Sequence, residues 1–109
     1  MFMRNAILII GGLVIGLFFA VGAFAHSPLC SCFDNGDGTV TCEGGFSDGS
    51  SAAGVTIEIR DTSGKVLLKG RMDKLSTFVF KKPARETYKI VFDAGAGHVV
   101  EIDSRDVSK

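Results

Sequence analysis

The chain has 109 residues, a formal net charge of +0 and 46% hydrophobic residues, but both properties are distributed unevenly. The first 25 residues are apolar or glycine except Arg4 and Asn5, whereas all twelve acidic residues lie from Asp34 onward. The remaining 84 residues are near neutral and can form only one small core. This excludes a multidomain enzyme and argues against a nucleic-acid-binding protein, which needs a basic face.

Residues 1–25 have the pattern of an export signal. Arg4 supplies the positive charge, residues 6–24 are apolar, and Ala23-Phe24-Ala25 forms a small-x-small cleavage pattern. The apolar stretch is also near the lower limit for a helix that crosses a bilayer, so an uncleaved membrane anchor is the alternative. Either reading predicts an extracytoplasmic protein, in the periplasm or on the outer face of the inner membrane. Cleavage would make His26 the first residue.

Residues 26–103 show no helical period and predict seven short strands separated by turns. The clearest is the segment 55–60, in which Val55, Ile57 and Ile59 share one face and polar residues share the other. The predicted strands cover residues 29–33, 39–46, 55–60, 65–70, 77–81, 88–93 and 98–102. We therefore expect an all-β fold, a small two-sheet antiparallel sandwich preceded by an N-terminal hydrophobic helix. Residues 104–109 are expected to form a solvated tail.

All three cysteines lie in the first predicted hairpin. If its turn is centred on Gly36, Cys30 faces Cys42, and Cys32 lies on the same face. An oxidising compartment then favours a Cys30–Cys42 disulfide, with a diagonal Cys32–Cys42 pair as the alternative. A different hypothesis is that two or three thiolates, Cys32 among them, bind a soft or borderline metal ion such as Cu or Zn.

Only two histidines occur, His26 and His98. A mature N-terminal His26 would offer its α-amine and imidazole as a chelating pair for Ni(II), Co(II), Cu(II) or Zn(II). His98 follows Ala94-Gly95-Ala96-Gly97, in which the glycines permit a sharp turn. Taken singly, each histidine also fits an ordinary structural role.

Residues 93–101, DAGAGHVVE, resemble the C-terminal signature of the small extracytoplasmic subunits of nickel and cobalt transporters of the energy-coupling-factor type. In that family the pattern runs Asp-Ala-Gly-x-Gly-His, with an acidic residue shortly after. The order of elements in that family is also followed by residues 43–49, 55–70, 78–80 and 88–92. The chain departs from the family in its three cysteines, in Ala96 where methionine is common, and in Ser76 where glycine is usual.

The resemblance implies a transthyretin-like or carboxypeptidase-regulatory-like sandwich without catalytic activity. Its implied role is to bind Ni(II) or Co(II) and assist uptake by an ATP-driven permease, whose membrane subunits would be its partners. The implied metal ligands are His26 and His98, with Asp93 and Glu101 as weaker candidates. Membrane contact is expected if the N-terminal segment is retained, and no nucleic acid is expected as a partner.

The alternative is a non-catalytic envelope module, with a structural disulfide, that binds another protein or a polysaccharide. The absence of H-E-x-x-H and C-x-x-C motifs argues against a metallopeptidase or a dithiol redox enzyme.

Overall fold

The computed structural model describes residues 26–109, and these residues form an all-β structure. The predicted N-terminal helix and the signal or anchor lie outside the described residues. No helix within residues 26–109 is long and apolar enough to span a membrane. The strands are β1 (Pro28–Asp34), β2 (Thr39–Phe46), β3 (Thr56–Arg60), β4 (Val66–Arg71), β5 (Thr77–Lys81), β6 (Lys89–Asp93) and β7 (Val99–Asp103), followed by a 3-10 helix at Ser104–Asp106.

The seven strands form two antiparallel sheets, which confirms the predicted sandwich. One sheet has the order β1-β2-β5 and the other has the order β4-β3-β6-β7. Because successive strands run up and down, the connections gather at two opposite ends. Residues 26–27, 47–55, 72–76 and 94–98 form the end that we call the histidine end. Residues 35–38, 61–65, 82–88 and 104–109 form the end that we call the ion-pair end.

The core lies between the inner faces of the two sheets. Alternation along each strand directs every second side chain inward, and Val40, Ile57, Ile90 and Phe92 are completely buried. Aromatic side chains join the layers, as in the edge-to-face pair of Phe80 and Tyr88, whose ring centroids lie 6.1 Å apart. This packing fixes the strand ends that carry the connecting loops.

The disulfide joins Cys32 to Cys42, so the prediction of a Cys30–Cys42 bond is wrong. Cys32 lies directly opposite Cys42 in the ladder, whereas Cys30 faces Gly44 and keeps a free thiol. The error came from the turn, which is centred one residue later than Gly36. Carboxylates set this position, because Asp34 accepts a hydrogen bond from the backbone N–H of Gly36 and Asp37 accepts one from Thr39.

The last residues do not form the solvated tail that we expected. The backbone N–H of Asp34 donates to the carbonyl of Ser108 at 2.7 Å, and the N–H of Ser108 donates to the carbonyl of Cys32 at 3.1 Å. Val107 packs against the core. The segment therefore pairs in parallel with the end of β1.

Candidate metal site

The two histidines come together at the histidine end, although they lie near opposite ends of the described chain. His26 and His98 line one shallow depression of about 280 Å3, and its other walls are Phe46, Ser50 and Ala94. These are the only two histidines in the sequence. Both histidines of residues 26–109 therefore line the same depression.

His26 is held against the loop that joins β2 to β3. Its Nδ1 lies 2.6 Å from Oδ2 of Asp48, while its side chain remains 63% exposed. The adjacent backbone is fixed as well, because Ser27 donates its N–H to Oγ of Ser47 and accepts a hydrogen bond from the N–H of Ser47. The imidazole is thus oriented and still open to solvent.

Asp48 is itself positioned by its own turn. Its Oδ1 accepts hydrogen bonds from the backbone N–H of Ser50 at 3.0 Å and from the Ser50 hydroxyl at 2.6 Å. These hydrogen bonds are the main cause that lowers the pKa of Asp48, and the neighbouring His26 lowers it further. The carboxylate remains ionised at neutral pH and accepts the Nδ1 proton of His26. The lone pair of neutral His26 then lies on Nε2.

The DAGAGH segment forms the tight connection between β6 and β7. Oδ1 of Asp93 accepts the N–H of Gly95 at 2.9 Å, and the backbones of Ala94 and His98 are joined by a hydrogen bond of 3.0 Å. Gly95 and Gly97 have φ values of 114° and 78°, which residues with a side chain rarely adopt. The motif therefore encodes a loop geometry that delivers His98 to the depression.

His98 is oriented through the same ring atom as His26. Its Nδ1 lies 3.1 Å from the carbonyl oxygen of Ala96, which can only accept, so Nδ1 carries the proton. Nε2 of neutral His98 is consequently the atom with a free lone pair. Each imidazole has one nitrogen held by the protein and the other free to bind a ligand.

The weaker candidates do not join this pair as a cluster. Asp93 uses a carboxylate oxygen to build the β6–β7 loop, and Glu101 lies on β7 near Lys89, with 3.9 Å between the charged atoms. Cys32 is in the disulfide and has no thiolate to offer. Within residues 26–109 no group of three or more His, Cys, Asp or Glu side chains is arranged to hold a metal ion.

The free thiol of Cys30 lies elsewhere, beside Leu29, Glu43 and Gly44. Burial raises the pKa of Cys30 to about 11, so the sulfur stays protonated at neutral pH. With Cys32 and Cys42 oxidised, no cysteine of the hairpin supplies a thiolate. In the disulfide-bonded protein the hairpin thus has one thiol, that of Cys30, instead of the two or three thiolates of that hypothesis.

Two imidazole nitrogens with water in the remaining positions suit a borderline divalent ion such as Ni(II), Co(II), Cu(II) or Zn(II). Sequence reasoning missed Asp48, whose only local signal is the Asp-Gly-Ser turn that it begins. An Asp-x-Ser turn is common in loops, and nothing in the sequence links Asp48 to His26. The contact depends on how the N-terminal residues pack on the folded domain.

No family model, no curated protein and no solved structure matches this chain. The function proposed below consequently depends on the chemistry of the two histidines and on the resemblance carried by residues 93–101.

Proposed function

We propose that this protein is a non-catalytic, extracytoplasmic metal-binding subunit that assists the uptake of Ni(II), or Co(II), by an ATP-driven permease. The observation that carries the proposal is the convergence of His26 and His98 on one exposed depression. The transporter role and the transthyretin-like type of sandwich follow from the resemblance of the DAGAGH segment. The metal ion is cargo, held briefly and passed on.

The donor atoms in this proposal are Nε2 of His26 and Nε2 of His98. Asp48 and the carbonyl of Ala96 occupy the two Nδ1 atoms and act as outer partners that orient the rings. A chelate between the α-amine and Nδ1 of a mature His26 would have to displace Asp48. Two protein donors with water completing the shell leave exchangeable positions, which a site that hands over its ion requires.

The Cys32–Cys42 disulfide supports an extracytoplasmic location, because disulfides persist in oxidising compartments. The apolar residues 1–25, as a signal or an anchor, fit the same location. An open, shallow site at the end of the domain nearest to that segment would allow close approach of a membrane subunit. These features together support delivery to a permease.

The test is calorimetric titration of the purified chain with Ni(II) and Co(II) at neutral pH, in the wild type and in His26→Gln and His98→Gln. We expect each variant to lose at least about tenfold in affinity, or about 1.4 kcal/mol, because each removes one of two protein donors. Glu101→Gln is the matched control, since it changes a predicted ligand outside the depression.

Absence of binding in the wild type would refute the metal function. Equal affinity in the wild type and His98→Gln would refute the two-histidine site. A loss confined to Glu101→Gln would move the site to β7.

A second candidate is an envelope interaction module without a metal. The favouring observation is that Leu75, Val79 and Leu29 are exposed by 83%, 57% and 53%. If this module is the function, substitutions at these positions will abolish partner capture, and histidine substitutions will leave it unchanged.

A further inference from the structure

Leu75 is the most exposed large hydrophobic side chain in the described part of the chain, at 83%. It lies in the turn of residues 72–76, which connects β4 of one sheet to β5 of the other. An isolated exposed leucine is ordinary, but this one projects from the tip of a tightly bonded turn. The hydrogen bonds of this turn and the charges beside it limit the kinds of partner that Leu75 can contact.

The turn is held in one conformation by its own side chains. Oδ1 of Asp73 accepts hydrogen bonds from the N–H groups of Leu75 and Thr77, and Oδ2 accepts the Thr77 hydroxyl at 2.7 Å. Ser76 has φ of 60°, and its hydroxyl accepts the N–H of Ala52 at 2.9 Å. Leu75 is thus presented to the exterior by a pre-organised backbone.

Unpaired cations lie in this turn and directly before it. Residues 65–85 contain seven Lys or Arg and one acidic residue, Asp73. Within residues 26–109, every Lys or Arg without an ion pair lies between positions 65 and 81 except Lys109. Lys74 lies in the turn, Arg71 directly precedes it and Lys69 lies further back on β4, whereas Lys65 and Lys81 lie toward the opposite end of the sandwich.

The turn belongs to the same end of the sandwich as the beginning of the described chain. Ser76 is bonded to Ser51 and Ala52 in the β2–β3 loop, and Ser27 is bonded to Ser47 in that loop. The apolar residues 1–25 stop at His26, next to this loop. A bilayer that holds this segment would therefore lie close to the Leu75 turn.

We propose that the turn of residues 72–76 is a membrane-contact element that binds bilayers rich in anionic phospholipid. Leu75 enters the boundary between headgroups and acyl chains, while Arg71 and Lys74 contact lipid phosphates. A cation near an anionic membrane surface strengthens binding by about fivefold. An acidic protein would also attract these cations, but a single leucine at the tip of a turn offers no groove for a protein segment. This inference is independent of the metal function.

The absence of tryptophan from the sequence allows a direct test. The full-length Leu75→Trp variant carries one fluorophore at the tip, and Val66→Trp carries one at the opposite end of β4, where Val66 is 43% exposed. Both are reconstituted in phosphatidylcholine vesicles with and without phosphatidylglycerol. We expect Trp emission at position 75 to shift to the blue and to be quenched by brominated lipid when phosphatidylglycerol is present. Emission at position 66 should change little.

Charge reversal then tests the cations. Adding Arg71→Glu and Lys74→Glu to Leu75→Trp should remove most of the dependence of quenching on phosphatidylglycerol. Equal quenching at positions 66 and 75 would overturn the proposal. Quenching that depends neither on phosphatidylglycerol nor on the charge reversals would overturn it as well. Shielding of position 75 in native membranes but not in pure lipid vesicles would also overturn it and would assign the turn to a protein partner.

Discussion

The two ends of the sandwich use charged side chains in different ways. At the ion-pair end, Lys82 binds Asp34 at 2.8 Å and Arg85 lies 3.5 Å from Asp61, so opposite charges neutralise each other within the domain. At the histidine end, the Asp48 carboxylate instead contacts an imidazole, that of His26, at 2.6 Å. Two cations are thus paired within the domain at the first end, whereas Arg71 and Lys74 beside the second end are unpaired within the described residues and the histidines there keep one ring nitrogen exposed.

The same local turn occurs at both ends with different partners. In Asp48-Gly49-Ser50 and in Asp61-Thr62-Ser63, the carboxylate accepts hydrogen bonds from the backbone N–H and the hydroxyl of the serine two residues later. The remaining carboxylate oxygen faces His26 in the first turn and Arg85 in the second. Local sequence therefore sets the turn, whereas the long-range partner decides whether its carboxylate contacts an imidazole or a guanidinium group.

The largest effect is expected from the disulfide, which lies between the two ends. The double variant Cys32→Ala/Cys42→Ala should lose about 2–4 kcal/mol in free energy of unfolding, because the unfolded chain gains freedom. Urea unfolding measures this loss, and Cys30→Ala is the control that should change it little. Under conditions where the double variant remains folded, Ni(II) affinity should match the wild type. Equal destabilisation by Cys30→Ala would contradict the pairing.

The matched turns give the next effect. Asp48→Ala should lower Ni(II) affinity about tenfold, since removal of an outer partner weakens a histidine ligand by this order. Asp61→Ala removes the same turn hydrogen bonds at the ion-pair end and should leave Ni(II) affinity unchanged. Calorimetric titration of both variants distinguishes an orienting role from a general loss of turn structure. A similar fall in both would show that the two ends are not independent.

The smallest effect concerns the loop that carries His98. Gly97 and Gly64 have φ values of 78° and 90°, and a Cβ at either position meets open space. Gly97→Ala and Gly64→Ala should therefore each cost roughly 1 kcal/mol of stability, the strain of a left-handed alanine. Only Gly97→Ala should also weaken Ni(II) binding. Thermal unfolding measures the loss of stability in each variant, and titration measures the Ni(II) affinity. A fall in affinity in Gly97→Ala alone would show that the β6–β7 loop geometry contributes to metal binding as well as to stability.

The strands could be predicted from the sequence because apolar side chains that point inward alternate with polar side chains that point outward. Strands β2 and β5 begin and end at the predicted residues, and the others differ by one residue at one or both ends. The predicted register of the first hairpin was wrong because its turn is set by the carboxylates of Asp34 and Asp37, which accept hydrogen bonds from the N–H groups of Gly36 and Thr39. The C-terminal pairing was missed because Ser108 and Lys109 carry no strand pattern.

The candidate site was only partly predictable. His26 and His98 were named from residue chemistry and from the DAGAGH resemblance, but their convergence depends on three loops packing together. Asp48 could not be found, since its contact with His26 joins segments that have no shared periodicity. Ser76 stands where glycine is usual in the transporter subunits that the chain resembles. Its hydroxyl accepts a hydrogen bond from the N–H of Ala52, which offsets the cost of its positive φ.

The pairing of Ser108 with the end of β1 also bears on resistance to aggregation. Exposed sheet edges are where strands from other molecules add and where fibrils grow. Here the chain covers the end of one outer strand with its own C-terminus. The edge strands on the other side, β4 and β5, carry Lys69, Arg71 and Lys81, whose like charges repel a second copy. These two features protect the sheet edges from pairing with another molecule although both sheets are open.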